Sequence, residues 1–86
     1  MHILYFASLR EKAGLASEEV APPAEVADVD ALVAWLRDRG GKPAEALADL
    51  RFVRVAVNQE HVSLRHPVRA GDEVAFFPPV TGGTNG

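Results

Sequence analysis

The chain contains no cysteine. That absence excludes disulfides, thiolate metal sites and iron–sulfur ligation, and it denies the protein any persulfide on its own side chains. No apolar run approaches the roughly 18 to 20 residues that a membrane span requires. The opening stretch, Met1-His2-Ile3-Leu4-Tyr5-Phe6, has no basic segment or cleavage site and goes straight into strand-forming residues, unlike a signal peptide. Excess positive charge is missing as well. The formal charge is −3 at pH 7, whereas a nucleic-acid footprint demands a basic face. These absences predict a cytoplasmic protein that serves neither membranes nor nucleic acid.

Catalytic signals are equally sparse. Ser8, Ser17 and Ser63 lack the context of a nucleophile elbow. His61 and His66 are spaced across a strand and a loop in a way that matches no recurrent metal pair, and surface histidines explain them better. Glu18-Glu19 and Asp72-Glu73 are adjacent carboxylates, but neighbours on a strand point to opposite faces, so both pairs read as solvated edges. What is present is one domain of 86 residues with 48% apolar content. That suffices for a single modest core but not for an enclosed active site of the usual kind.

Periodicity divides the chain into a few elements. Residues 2–8 read as a strand, Arg10 to Gly14 as a turn, and Ser17 to Ala21 as a weaker edge strand closed by Pro22-Pro23. Asp28 is placed to cap a helix whose Val29, Leu32, Val33 and Leu36 share one face, with Arg37 and Arg39 in its last turn and Gly40-Gly41 as its stop. Pro43 opens a short second helix bearing Ala44, Leu47 and Leu50. Phe52 to Val57 forms a strand, Asn58-Gln59 a tight turn, His61 to Leu64 a short return strand, and Glu73 to Phe77 the last strand. Two strands, a helix and three strands predict an α+β domain over residues 1–77. The order matches a β-grasp, a mixed sheet with one main helix across a face, although other small α+β folds use the same ingredients.

Residues 78–86 form the remaining segment, an extended tail. Pro78-Pro79 favour a stiff, polyproline-like exit, followed by Val80, Thr81 and the pair Gly82-Gly83. A frayed end is the ordinary explanation for terminal glycines. A stiff root, however, suits a tail that another protein must swallow. From Pro78 to Gly83 it reaches at most roughly 20 Å, and glycine lets a narrow channel close around the backbone. Thr84-Asn85-Gly86 then place the encoded carboxylate beyond the glycine pair. Trimming after Gly83, residues added at the terminus, or use of Gly86 itself would each account for them.

Three groups of residues carry a resemblance over the whole length: Tyr5-Phe6-Ala7 with Arg10; Val57-Asn58-Gln59 with Val62-Ser63 and His66-Pro67; and the closing block from Gly71 to Gly83. In these the chain resembles the small, sulfur-carrier subunits of molybdopterin synthases, ubiquitin-like β-grasp proteins. The resemblance implies that an adenylating enzyme similar to ubiquitin-activating enzymes spends ATP on the carboxylate of Gly83, after which sulfur replaces AMP to give a thiocarboxylate. It also implies delivery of that sulfur to cyclic pyranopterin monophosphate on a large subunit, within a heterotetramer. The carrier itself would perform no catalysis and hold no permanent cofactor. Phe6, His61 and Phe77 fall where such subunits present an apolar patch to partners; alternation alone leaves core packing open for both phenylalanines. A carrier for the thiamine thiazole and a ubiquitin-like protein modifier are the alternatives, and the Phe-Phe-Pro-Pro block points away from the former.

Overall fold

The computed structural model describes residues 1–79. Five strands form one sheet in the order β2-β1-β5-β3-β4, where β1 is His2–Tyr5, β2 Ser17–Glu19, β3 Arg54–Val57, β4 Glu60–Val62 and β5 Glu73–Phe77. The central pair, β1 and β5, runs parallel, and every other pairing is antiparallel. Three helices, α1 (Ala7–Ala13), α2 (Val29–Asp38) and α3 (Gly41–Ala46), complete the domain with a 3-10 turn at Leu50–Phe52.

Helix α2 forms as its sequence demands. The Asp28 carboxylate accepts from the Ala31 amide at 2.8 Å, and Val29, Leu32, Val33 and Leu36 are all buried. Those side chains meet Ile3, Tyr5, Val55, Val57, Val74 and Phe76 from one face of the sheet. Removing each large aliphatic side chain from water stabilises the fold by about 1.5–3 kcal/mol. The helix start is also tied to the segment before β5: the Val29 and Asp30 amides donate to the carbonyls of His66 and Leu64.

Several boundaries depart from the periodicity: β2 stops at Glu19 rather than Ala21, β4 spans Glu60–Val62 rather than His61 to Leu64, and α3 ends at Ala46, short of Leu47 and Leu50. The first strand ends at Tyr5 rather than running to residue 8, because Ala7 adopts a φ of 50° and turns the chain out of the sheet. The stretch expected as a turn is instead α1, which buries Leu9 and Ala13 one helical turn apart. Gly14 ends it in the left-handed conformation, its amide donating to the Arg10 carbonyl at 3.0 Å. The third strand begins at Arg54, since Leu50, Arg51 and Phe52 are wound into the 3-10 turn. Asn58 and Gln59 both have positive φ, the geometry of a tight hairpin.

Candidate functional site

The face of the sheet turned away from the helices is built by the alternation of β5. Val74 and Phe76 enter the core, which sends Ala75 and Phe77 to the other side. Register then aligns Leu4, Ala75, Ala56 and His61 in one row across β1, β5, β3 and β4. A second row lies nearer the tail. Arg54 stands opposite Phe77, and Phe6 follows β1 on the other flank, its amide still donating to the Phe76 carbonyl at 3.0 Å.

All three residues expected to meet partners therefore share this face. Phe6 is 48% exposed and Phe77 half-buried, so the core-packing alternative fails for Phe6 and holds only in part for Phe77. The exposed His61 ring packs against Phe77, with ring centroids 5.1 Å apart. Sequence reasoning missed Leu4, Ala56 and Ala75, which make the floor between these side chains. The signal was available in the alternation: Ala75 sits between two core residues, so it must face outward. Small alanines beside large rings leave a shallow apolar surface with a charged rim, the composition of a protein-docking patch rather than a small-molecule pocket.

The tail begins at the edge of this face. Pro78 and Pro79 continue from β5 and are half-buried. Val80, Thr81, Gly82 and Gly83, with Thr84-Asn85-Gly86, lie outside the described residues. An apolar cleft of about 440 Å³, lined by Met1, Val20, Pro22, Pro23, Val26 and Val68 among others, opens at the opposite pole, where β1 starts. No set of convergent polar groups accompanies it, and it stands remote from the tail root.

The adjacent carboxylates do more than line edges. Glu18 is only 17% exposed; it accepts from the Tyr5 hydroxyl at 2.9 Å and from the Arg39 guanidinium at 2.8 Å. Arg39 in turn lies over the Trp35 ring, so this group ties edge strand β2 to the end of α2. Burial pushes the Tyr5 hydroxyl well above the usual phenol range, and its hydrogen bond to Glu18 adds to the rise. Glu19 does keep the solvated position, beside His2 and the amino terminus. Asp72 accepts from the Asn58 side chain at 3.1 Å and from the Arg69 amide at 2.9 Å. Its partial burial opposes ionisation, yet the Arg69 and Asn58 hydrogen bonds prevail and hold the carboxyl below its ordinary value.

The profile of the family described as "ThiS family" matches residues 3–83, nearly the whole chain. The chain belongs to the ThiS family. Within it, this ThiS-family chain is 47% identical to the molybdopterin synthase sulfur carrier subunit of Escherichia coli (strain K12), over 94% of its own length and 96% of the relative's. Identity to the human protein of the same name is 37%, over 96% and 93% of the two chains. Among solved structures it resembles a putative molybdopterin converting factor, subunit 1, from Pyrococcus furiosus, with a TM-score of 0.72 and 33% identity over 92% of this chain and 95% of that one. It also resembles small archaeal modifier protein 1 of Haloferax volcanii, with a TM-score of 0.73 and 31% identity over 95% and 97%. The fold is accordingly a β-grasp.

Proposed function

We propose that this chain is the sulfur-carrier subunit of a molybdopterin synthase and that Gly83 carries the sulfur. The observation that supports this best is whole-length identity to curated carrier subunits, on a chain whose exposed apolar face runs directly into the tail root. An adenylating partner of the ubiquitin-activating type would let the Gly83 carboxylate attack the α-phosphate of ATP, releasing pyrophosphate. The acyl-adenylate has a good leaving group where a free carboxylate has none. A sulfur nucleophile then displaces AMP, and the thiocarboxylate enters the large subunit to donate sulfur to cyclic pyranopterin monophosphate. The catalytic site belongs to that large subunit; the carrier brings the reactive end and holds no cofactor of its own. Assembly into a heterotetramer and a cytoplasmic location belong to the same proposal.

Two regions divide the work. Residues 1–77 dock, with Phe6, His61 and Phe77 at the contact; residues 78–86 deliver. While Thr84 follows Gly83, the Gly83 carbonyl is an amide and a far weaker nucleophile toward ATP, so the extension must leave first. Intact mass of the protein from its own cells tests this reading. The expected species ends at Gly83, and a fraction of it shows one oxygen replaced by sulfur. Persistent absence of that exchange in cells that make the molybdenum cofactor would overturn it.

The likeness to an archaeal modifier protein supports a second reading, a tail joined to lysines of other proteins. Isopeptide-linked remnants of this tail on other proteins would select it over the carrier.

A further inference from the structure

Two exposed phenylalanines flank the exit of the tail, and the proposed docking contact uses only one. Phe6 follows β1, Phe77 ends β5 and Phe52 precedes β3, so the three stand at one pole of the sheet on adjacent strands. Arg54 is the direct partner of Phe77. Phe52 comes two residues earlier, which keeps its Cα within roughly 13 Å of that of Phe77. At 56% exposure it is more open than Phe6.

This exposed ring is held in place. The Asp49 side chain accepts from the Arg51 amide at 3.1 Å and from its guanidinium at 3.0 and 2.8 Å. That guanidinium lies over the Phe52 ring, 5.4 Å from its centroid. Leu50 and Val53, on either side, pack against the core and anchor the turn. Ordering the ring before contact removes part of the entropy that binding would cost. Arg54, by contrast, makes no ion pair among the described residues and reaches only the Val53 carbonyl, at 3.3 Å.

Tail length says what covers this knuckle. The segment from Pro78 to Gly83 spans at most roughly 20 Å, so a subunit that takes Gly83 into its own interior must bring its surface close to the tail root. A lip that near meets both flanks of the exit. We propose that Phe52, braced by Arg51, and Arg54 form a second contact for the large synthase subunit, opposite Phe6 across the tail root. Phe52 fills an apolar depression in the lip of the tail channel, and Arg54 meets a carboxylate beside it. Aromatic and arginine side chains are the usual anchors of such contacts. This inference rests on the sulfur-carrier reading.

The test measures affinity of the carrier isolated from its own cells for the large subunit, comparing wild type with Phe52→Ala, Arg54→Gln and Phe77→Ala. Circular dichroism checks each fold; Phe52 and Arg54 are exposed, so their replacement leaves the core alone. Phe52→Ala is expected to weaken binding about tenfold or more, and Arg54→Gln to flatten its dependence on salt. Unchanged affinity of Phe52→Ala beside a weakened Phe77→Ala would overturn the inference and leave the outer-face reading standing. If neither variant weakens, both fall. If Phe52→Ala binds the large subunit normally but the adenylating enzyme poorly, the assignment to the large subunit is wrong.

Discussion

Phe76 and Phe77 share one chemistry and occupy opposite environments because a strand turns successive side chains to opposite faces. Phe76 is fully buried and stacks on Tyr5 with centroids 6.0 Å apart, whereas Phe77 lies on the outer face against His61. Phe76→Ala should therefore cost about 3–5 kcal/mol in urea unfolding, a large share of a small domain's stability. Phe77→Ala should lower the urea midpoint much less than Phe76→Ala does and weaken the large subunit's grip, as isothermal titration would show. Tyr5→Phe offers a subtler check. It removes the hydroxyl that Glu18 accepts while the carboxylate keeps Arg39, so a loss of about 0.5–1.5 kcal/mol is expected. None of the Glu18 contacts was legible in the sequence, because Tyr5, Glu18 and Arg39 come together only after the sheet and helix have packed.

At the scale of elements, legibility followed the length of the repeating pattern. Helix α2 has four buried residues at helical spacing and a capping aspartate, which leaves little choice. Helix α1 buries only Leu9 and Ala13, too few to reveal a period, and the β-forming run before it masked its start. The same masking hid the 3-10 turn at Leu50–Phe52, and with it the exposure of Phe52. The β3–β4 hairpin was legible through Asn58-Gln59, but its second duty was not. Asn58 both turns the chain and clamps β5: its side-chain oxygen accepts from the Glu73 amide at 3.0 Å, while its amide group donates to Asp72. Asn58→Ala should cost about 1–2 kcal/mol or more, since alanine resists the positive φ and supplies no hydrogen bond. Asn58→Gly should cost less, because only the hydrogen bonds go. Asp72 also gives the clamp an acid sensitivity. Its folded value lies below the ordinary aspartate value of about 3.9, so its contribution is complete above that pH and disappears as pH falls through the folded value. Thermal melts across the acid range should show this decline, and Asp72→Asn should reduce its slope.

Across the whole molecule, the proposed docking surface and the proposed reactive end are joined by β5, the central strand of the sheet. The last strand was readable because its alternation runs straight into the paired prolines that end it. The floor of the proposed docking face was not, because Leu4, Ala56 and Ala75 become neighbours only through strand register. A chain ending at Gly83 should form an acyl-adenylate with the activating enzyme and ATP, whereas the chain ending at Gly86 should not; pyrophosphate release measures both. Equal competence of the two would move the reactive residue to Gly86. The position of β5 also has a mechanical side. It is bonded on both flanks, to β1 over four residue pairs and to β3 over four more. Traction on the tail acts along the strand, so these bonds share the load in shear instead of opening one at a time. If a partner hauls the tail into a channel, as proposed, or a degradation machine pulls on it, the domain should yield only at high force. Single-molecule extension from the C-terminal end should show that resistance, and a pull applied across edge strand β4 should release it with far less.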